Sequence, residues 1–225
     1  MWTLHTILSR PIHYKMPFPK HANGKLLDIG CGTGSFLASM KRSGWGAYGV
    51  ELSPVACEYA ERNEGLNVFN GTVEDASFPN DFFDAVTMLQ VLEHTQDPAG
   101  TLREVYRILK ADGLLTIGVP NAASWESKLF GSRWGPWEIP RHLYHFSPTT
   151  ITALLEKNGF SVIDIKYDGI PNGFLWSMQY VFADVKLNPK IGFALAYPLA
   201  YLVSVFALVF RSAGSIAVFA KKRMH

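Results

Sequence analysis

LDIGCGTG, residues 27–34, sets three glycines in five positions directly after an apolar run, with Asp28 two places before the first of them. A strand that ends in such a turn and leads into a helix offers backbone N–H groups and a helix N-terminus, which together favour an anion. The dinucleotide fingerprint is G-x-G-x-x-G, whereas Gly30, Gly32 and Gly34 give G-x-G-x-G. Asp28 would repel a pyrophosphate but suits an ammonium or sulfonium group, so the turn leans away from nicotinamide. GVELSP then closes the second apolar run on Glu51, 21 positions after Gly30. An acid at that strand tip accepts hydrogen bonds from both hydroxyls of an unphosphorylated ribose.

Outward from this turn, strand and helix patterns alternate. Apolar or β-branched runs lie at 25–29, 46–52, 67–70, 84–89, 114–119 and 162–166. Ser53-Pro54, Asp97-Pro98 and Ser147-Pro148 each supply an N-cap followed by proline in the first helical position. Leu102, Val105, Tyr106 and Leu109 recur at helical spacing as a buried stripe, and Gly44, Gly113 and Gly159 stand where helices should stop. Alternation of this kind predicts right-handed crossovers and a doubly wound, mostly parallel α/β sheet.

A chain of 225 residues with 48% apolar content can bury one large core. Its net charge of +2 is too small to indicate a nucleic-acid partner, and no basic arm precedes the terminal KKRMH. Cys31 and Cys57 form neither a disulfide framework nor a metal-ligand pair by spacing, which points to a reducing, intracellular setting. The first residues, MWTLHTILSRPIHYK, lack the apolar core and cleavage site of a secretory signal.

LLDIGCGTGSF, GVELSP, GTVEDASFPNDFFDAV, LQVLEHTQDP and EVYRILKADGLLTIGVPN, in that order, resemble the class I S-adenosylmethionine-dependent methyltransferases. PRHLYHFSP and the NGF that follows its helix narrow the resemblance to the branch with ubiquinone-biosynthesis O-methyltransferases and glycan-cluster enzymes. The resemblance implies a Rossmann-like sheet of seven strands in domain 25–225, preceded by a segment 1–24, with SIAVFAKK as an antiparallel last strand between the fifth and sixth. It also implies S-adenosyl-L-methionine as cofactor. The turn of Gly30, Cys31, Gly32 and Gly34 would face its methionine part, and Asp28 would support the cationic end. Glu51 would take the ribose hydroxyls and Leu52 would pack near the adenine. Val73 and Glu74 would meet the adenine edge through their backbone, with Thr72 where the commoner pattern has aspartate. Leu89 and Gln90 would line the reacting methyl.

Methyl transfer from a sulfonium needs mainly a nucleophile held at near-attack distance in a dry site. A hydroxyl nucleophile also sheds a proton, and His142, His94 and His145 are the candidate bases. Each of them also has a plain structural reading, as a ring that bonds backbone carbonyls or caps a helix. Ubiquinone-pathway relatives carry a metal-linked E-x-x-E-H pattern, where this chain has Gln90, Val91, Leu92, Glu93 and His94. The amide weakens a hard-cation site, so no metal is expected.

Two further stretches require an account. Residues 124–146 crowd three tryptophans between the fifth strand and the next helix, either as a lid over a ring-containing acceptor or as cover for the sheet edge. Arg133 and Arg141 there leave room for an anionic acceptor group. Residues 191–210 carry no charge over a length able to cross a bilayer. A crossing would strand SIAVFAKK on the far side, and Lys186, Lys190, Arg211, Lys221, Lys222 and Arg223 make both ends basic. An insertion, 172–210, is therefore expected to form a helical hairpin on or within the cytoplasmic leaflet, which suits a lipid-linked acceptor. Burial in a homodimer or over the site is the soluble alternative. The rival functions are a NAD(P)-dependent reductase on a similar fold and a non-catalytic, membrane-associated protein that binds S-adenosylmethionine.

Overall fold

A computed structural model describes residues 24–168, 172–184 and 189–223. The expected N-terminal segment, 1–24, lies outside them except for Gly24, as does Lys186, one of the basic residues flanking the apolar run. The elements follow in the order β1 (Lys25–Ile29), α1 (Ser35–Arg42), β2 (Gly46–Glu51), α2 (Pro54–Glu64), β3 (Asn67–Asn70) and β4 (Phe83–Leu89). Then come α3 (Pro98–Ile108), β5 (Leu109–Pro120), α4 (Trp125–Phe130), α5 (Pro148–Lys157), β6 (Phe160–Asp168), α6 (Asn172–Asp184), α7 (Pro189–Val209) and β7 (Ser215–Lys222). The seven strands form one sheet in the order β3-β2-β1-β4-β5-β7-β6. β7 runs antiparallel to both neighbours, and the other pairings are parallel.

Period-2 alternation splits the core into two layers. Leu26 of β1 and Ala85 of β4 pack with Leu37 of α1 and Ala60 of α2. Their chain neighbours Leu27 and Val86 face the other way, against Leu102, Val105 and Ile108 of α3 and Ile151 and Leu155 of α5. Helices thus cover both faces, as alternation requires. The caps form as the sequence predicts. The Ser53 hydroxyl accepts from the Ala56 N–H, the Asp97 carboxylate from Gly100, and the Ser147 hydroxyl from Thr150.

Gly113 does not end a helix. α3 stops at Ile108 and Leu109 already pairs with Phe83, while the next partners in register are Ala85 and Leu114. Residues 110–113 therefore bulge out of the ladder. A Cβ on Gly113 would meet the Leu109 side chain and the Lys110 carbonyl at 2.6–2.9 Å, so the tight excursion requires glycine. The periodicity runs through this point because Leu109 is fully buried by the sheet instead of by the helix.

The order β2-β1-β4 makes the carboxyl end of β1 the point where chain direction across the sheet reverses. The glycine turn, Glu51 and Gln90 leave β1, β2 and β4 at that one edge. α6 and α7 fill the interval between β6 and β7 and pack through Phe174, Leu175, Phe182, Ala196 and Ala200. Among the described residues no helix is long and apolar enough to cross a membrane.

Candidate active site

Gly30, Gly32 and Gly34 have φ of 71°, 54° and 81°, all left-handed, which L side chains adopt at a cost. They differ in surroundings. A Cβ on Gly30 would meet Val91, and one on Gly34 would meet Leu66 and Ala60, but one on Gly32 would meet nothing within 4 Å. Gly32 borders open space at the mouth of the crevice, where a cofactor can approach the backbone. The N–H groups of Gly30 and Cys31 donate to the Val50 carbonyl, at 2.7 and 3.2 Å, and tie the turn to β2.

Glu51 links both sides of the crevice. One carboxylate oxygen accepts from the Gly32 N–H at 2.9 Å and the other from the Ser53 N–H at 2.8 Å. Each oxygen keeps a lone pair for a hydroxyl. Asn70, a residue that sequence reading passed over, fixes this tip by donating from its amide to the carbonyls of Glu51 and Leu52, at 2.9 and 3.1 Å.

Asp28 is buried and accepts from the Thr87 hydroxyl at 2.6 Å, across the β1–β4 pair. Burial pushes its carboxyl up to about 7; the Thr87 bond opposes that rise and nearby Glu51 adds to it. A cation beside it would hold it ionised. Cys31 packs on Gly49, and burial pushes its thiol up to about 12, so it acts as a small apolar side chain.

Of the residues expected near an adenine, Leu52 is 70% exposed and Val73 is buried in the core. The Thr72 hydroxyl donates to Asp75 at 2.7 Å, and Glu74 accepts from Thr101 at 2.8 Å. The side chains of Thr72 and Glu74 thus serve local structure, leaving backbone to meet a base. Leu89 is partly buried, and Gln90 follows it in the left-handed region (φ 59°) with its N–H bonded to the Gly118 carbonyl at 2.8 Å.

Two distant segments close over this end of β4. A 3-10 turn, Leu92–His94, follows β4, and the Glu93 carbonyl accepts from the N–H groups of Leu143 and Tyr144 at 2.8 and 3.2 Å. That strap brings all three candidate histidines together. The rings of His94 and His142 meet edge to face at 4.6 Å between centroids, and those of His142 and His145 at 6.5 Å.

Hydrogen bonding sets His142 apart from the other two. A carbonyl only accepts, so the ring nitrogen facing it carries the proton. His94 Nδ1 faces the Arg141 carbonyl at 2.9 Å, which leaves Nε2 with its lone pair. His145 Nε2 faces the Trp137 carbonyl at 3.0 Å, which leaves its Nδ1 with the lone pair; His94 is the one of these two rings that directly follows the end of β4. His142 is buried, with Nδ1 on the Pro136 carbonyl at 2.7 Å and Nε2 3.2 Å from Glu138. Burial lowers its pKa; the Pro136 carbonyl and Glu138 oppose that shift.

Glu93 lies beneath them, 1% exposed, and neither carboxylate oxygen has a hydrogen-bond partner among the described residues. Desolvation pushes it up to about 8. Donor atoms of Glu93, His94 and His142 lie within 4.8 Å of one another, close enough for one cation to touch all three. His142 thus brings in space what Gln90 lacks in sequence.

Part of the segment 124–146 is cover for the interior. Trp134 is 1% exposed and belongs to the interior, whereas Trp137 stacks edge to face on His145 at 4.8 Å. The two arginines are already partnered, Arg133 with Asp184 and Arg141 with Glu138, which weakens the case for an anionic acceptor group. A groove of about 450 Å³ runs from Trp137 and Glu138 past Ile139 to Tyr180 of α6.

A family model described as a methyltransferase domain matches residues 4–165. The ubiquinone biosynthesis O-methyltransferase of Cereibacter sphaeroides (strain ATCC 17025 / ATH 2.4.3) is 30% identical over 176 residues, which cover 73% of this chain and 70% of that one. Its counterpart in Xanthomonas oryzae pv. oryzae (strain PXO99A) is 29% identical over 156 residues, 64% and 65% of the two chains. Among solved structures, a SAM-dependent methyltransferase from Archaeoglobus fulgidus superposes with TM-score 0.61 at 21% identity, over 92% of this chain and 89% of that one. An S-adenosylmethionine-dependent methyltransferase from Mesorhizobium loti gives 0.59 at 16%, over 91% and 93%. At those identities the superpositions speak for the fold.

Proposed function

The chain belongs to the class I S-adenosylmethionine-dependent methyltransferases, and from that premise we propose that it methylates a hydroxyl of a lipid-linked, quinone-like or glycan acceptor, with His94 as general base. The observation that carries this reading is the free Nε2 of His94, held beside the end of β4 by the Arg141 carbonyl.

The bound cofactor supplies an activated sulfonium methyl. The three left-handed glycines fit its amino-acid end, and Glu51 and Asp28 supply acceptors for a ribose and a cation. Leu89 and Gln90 would border the reacting methyl. His94 Nε2 takes the acceptor's hydroxyl proton as the new bond forms. The imidazolium that results would favour the ionised form of buried Glu93, which burial otherwise keeps protonated near neutral pH, and would be offset by it. His142 is a buttress, its two ring nitrogens turned to the Pro136 carbonyl and to Glu138, and His145, whose Nδ1 is open, is the alternative base. No cation is needed for these steps, although the Glu93 cluster has the spacing for one.

Contact with the cytoplasmic face of a membrane is part of the same proposal. α7 exposes Tyr197, Tyr201, Leu202, Phe206 and Val209, an apolar surface suited to a bilayer interface. The groove from Tyr180 of α6 to Trp137, whose ring meets His145, offers an apolar chain a seat beside the histidines. A homodimer covering α7 is the second arrangement this surface favours.

Incubation with methyl-labelled cofactor and fractionated lipid and glycan extracts tests the acceptor class, and label confined to free water-soluble compounds would overturn it. Titration with S-adenosylmethionine and with NADH separates this enzyme from a reductase. Cofactor binding without transfer to any fraction would mark a non-catalytic protein.

A further inference from the structure

Helix α6 reaches the histidine cluster through a short turn. Ser177 has no exposed surface and sits among Phe174, Leu175 and Phe182, the apolar side of α6. Its hydroxyl donates to the Gly173 carbonyl at 2.7 Å, the ordinary bond of a helical serine to the preceding turn. The same oxygen accepts from the Gly135 N–H at 2.9 Å, and Gly135 opens the 3-10 turn Gly135–Trp137. Trp176 lies flat on Gly135: a Cβ there would meet its side chain at 2.5–2.9 Å. On its other side the turn presents the Pro136 carbonyl to His142 and the Trp137 carbonyl to His145. One buried hydroxyl therefore sets the turn whose two carbonyls each hold one nitrogen of an imidazole, the other nitrogen of His142 facing Glu138 at 3.2 Å.

We propose that Ser177 is a positioning residue, which seats the Gly135–Trp137 turn and thereby fixes the ring orientation and tautomer of His142 and His145, so that the hairpin and the reaction site move as one unit. Without the hydroxyl, the Gly135 N–H is a buried donor with its acceptor gone, and the turn must shift to find another. The carbonyls of Pro136 and Trp137 shift with it, and the rings lose their fixed tautomers. This inference rests on the reading of the histidines as the proton-handling site, but its test does not.

The measurement is imidazole nitrogen NMR on the full-length protein at one fixed pH, for wild type, Ser177→Ala and Ser177→Thr. Ser177→Ala is expected to move the nitrogen shifts of His142 and His145 toward a tautomer mixture and to leave those of His94 in place, since His94 is held by Arg141. Ser177→Thr, which keeps the hydroxyl, restores the wild-type pattern. Affinity for S-adenosylmethionine stays within about twofold, because no contact of the glycine turn changes. Unmoved shifts for His142 and His145 in a folded Ser177→Ala protein overturn the coupling, and so do equal movements of all three histidines, which signal general loosening. If Ser177→Ala does not fold, Ser177→Cys, close in size and a weaker partner, is read by the same criteria. A His94→Ala enzyme that turns over normally would sink the assignment of the base while leaving this test intact.

Discussion

His94 and His142 stand edge to face 4.6 Å apart, yet only His94 keeps a ring nitrogen clear of backbone and carboxylate partners. His94→Ala should therefore lower kcat by about 10²- to 10³-fold with little change in cofactor affinity, the usual range for loss of a general base. His142→Ala should lower activity and thermal stability together, because it empties a buried position and strands the Pro136 carbonyl. Kinetics paired with thermal melts check both, and an unimpaired His94→Ala enzyme moves the base elsewhere.

Glu51 bridges Gly32 and Ser53 while its remaining lone pairs face the crevice. Glu51→Ala should weaken S-adenosylmethionine binding by about 10- to 100-fold, in line with loss of charge-assisted hydrogen bonds. Isothermal titration calorimetry measures this directly, and unchanged affinity would refute the ribose role.

The glycines of the turn should separate by environment. Gly32→Ala has space and meets only the left-handed backbone penalty, about 1–2 kcal/mol, but brings a methyl to where the cofactor must approach. Gly34→Ala carries the same penalty and also drives a Cβ into Leu66 and Ala60, so it should be the less stable protein. Urea titrations beside cofactor binding should find Gly32→Ala the better folded of the two and still a poor binder.

Glu93 gives stability a pH dependence of known sign. Its pKa is raised in the folded protein, from 4.5 to about 8, so across that window the unfolded chain loses a proton that the folded one keeps. Stability should then be greatest below about 4.5 on this account, and fall as pH rises toward 8, by at most about 1.4 kcal/mol per pH unit. Glu93→Gln should flatten that slope and gain relative stability at pH 8. Urea midpoints at pH 5, 6.5 and 8 for both proteins decide it, and parallel slopes would count against a buried, ionising Glu93.

Leu202 and Phe206 are 68% and 62% exposed on α7. The double change Leu202→Asp and Phe206→Asp should release the protein from sedimenting phospholipid vesicles with cofactor affinity preserved. Unchanged sedimentation would favour the dimer arrangement, which analytical ultracentrifugation would then reveal.

The sheet and the cofactor turn were legible in the residues themselves. Left-handed glycines, an acidic strand tip, proline-headed helices and alternating strands are local devices, each encoded within a few positions, and β1, β3 and all three N-caps fall where the pattern puts them. The bulge at 110–113 was not, because a helical stripe and a buried strand both continue the same apolar spacing through Leu109. The roles within the histidine group were also hidden. His94 and His142 are 48 positions apart, and nothing in LEHTQ or PRHLYHF states that the Glu93 carbonyl straps the two segments together. Which imidazole nitrogen stays free depends on carbonyls at Pro136, Trp137 and Arg141, groups that every residue carries and no sequence pattern marks. Sequence alone determined the fold and the left-handed glycine turn at its edge, since these rest on backbone conformation and hydrophobic period. Tertiary structure alone decided which imidazole nitrogens are held by acceptors and which stay open, since that depends on long-range backbone hydrogen bonds and on burial.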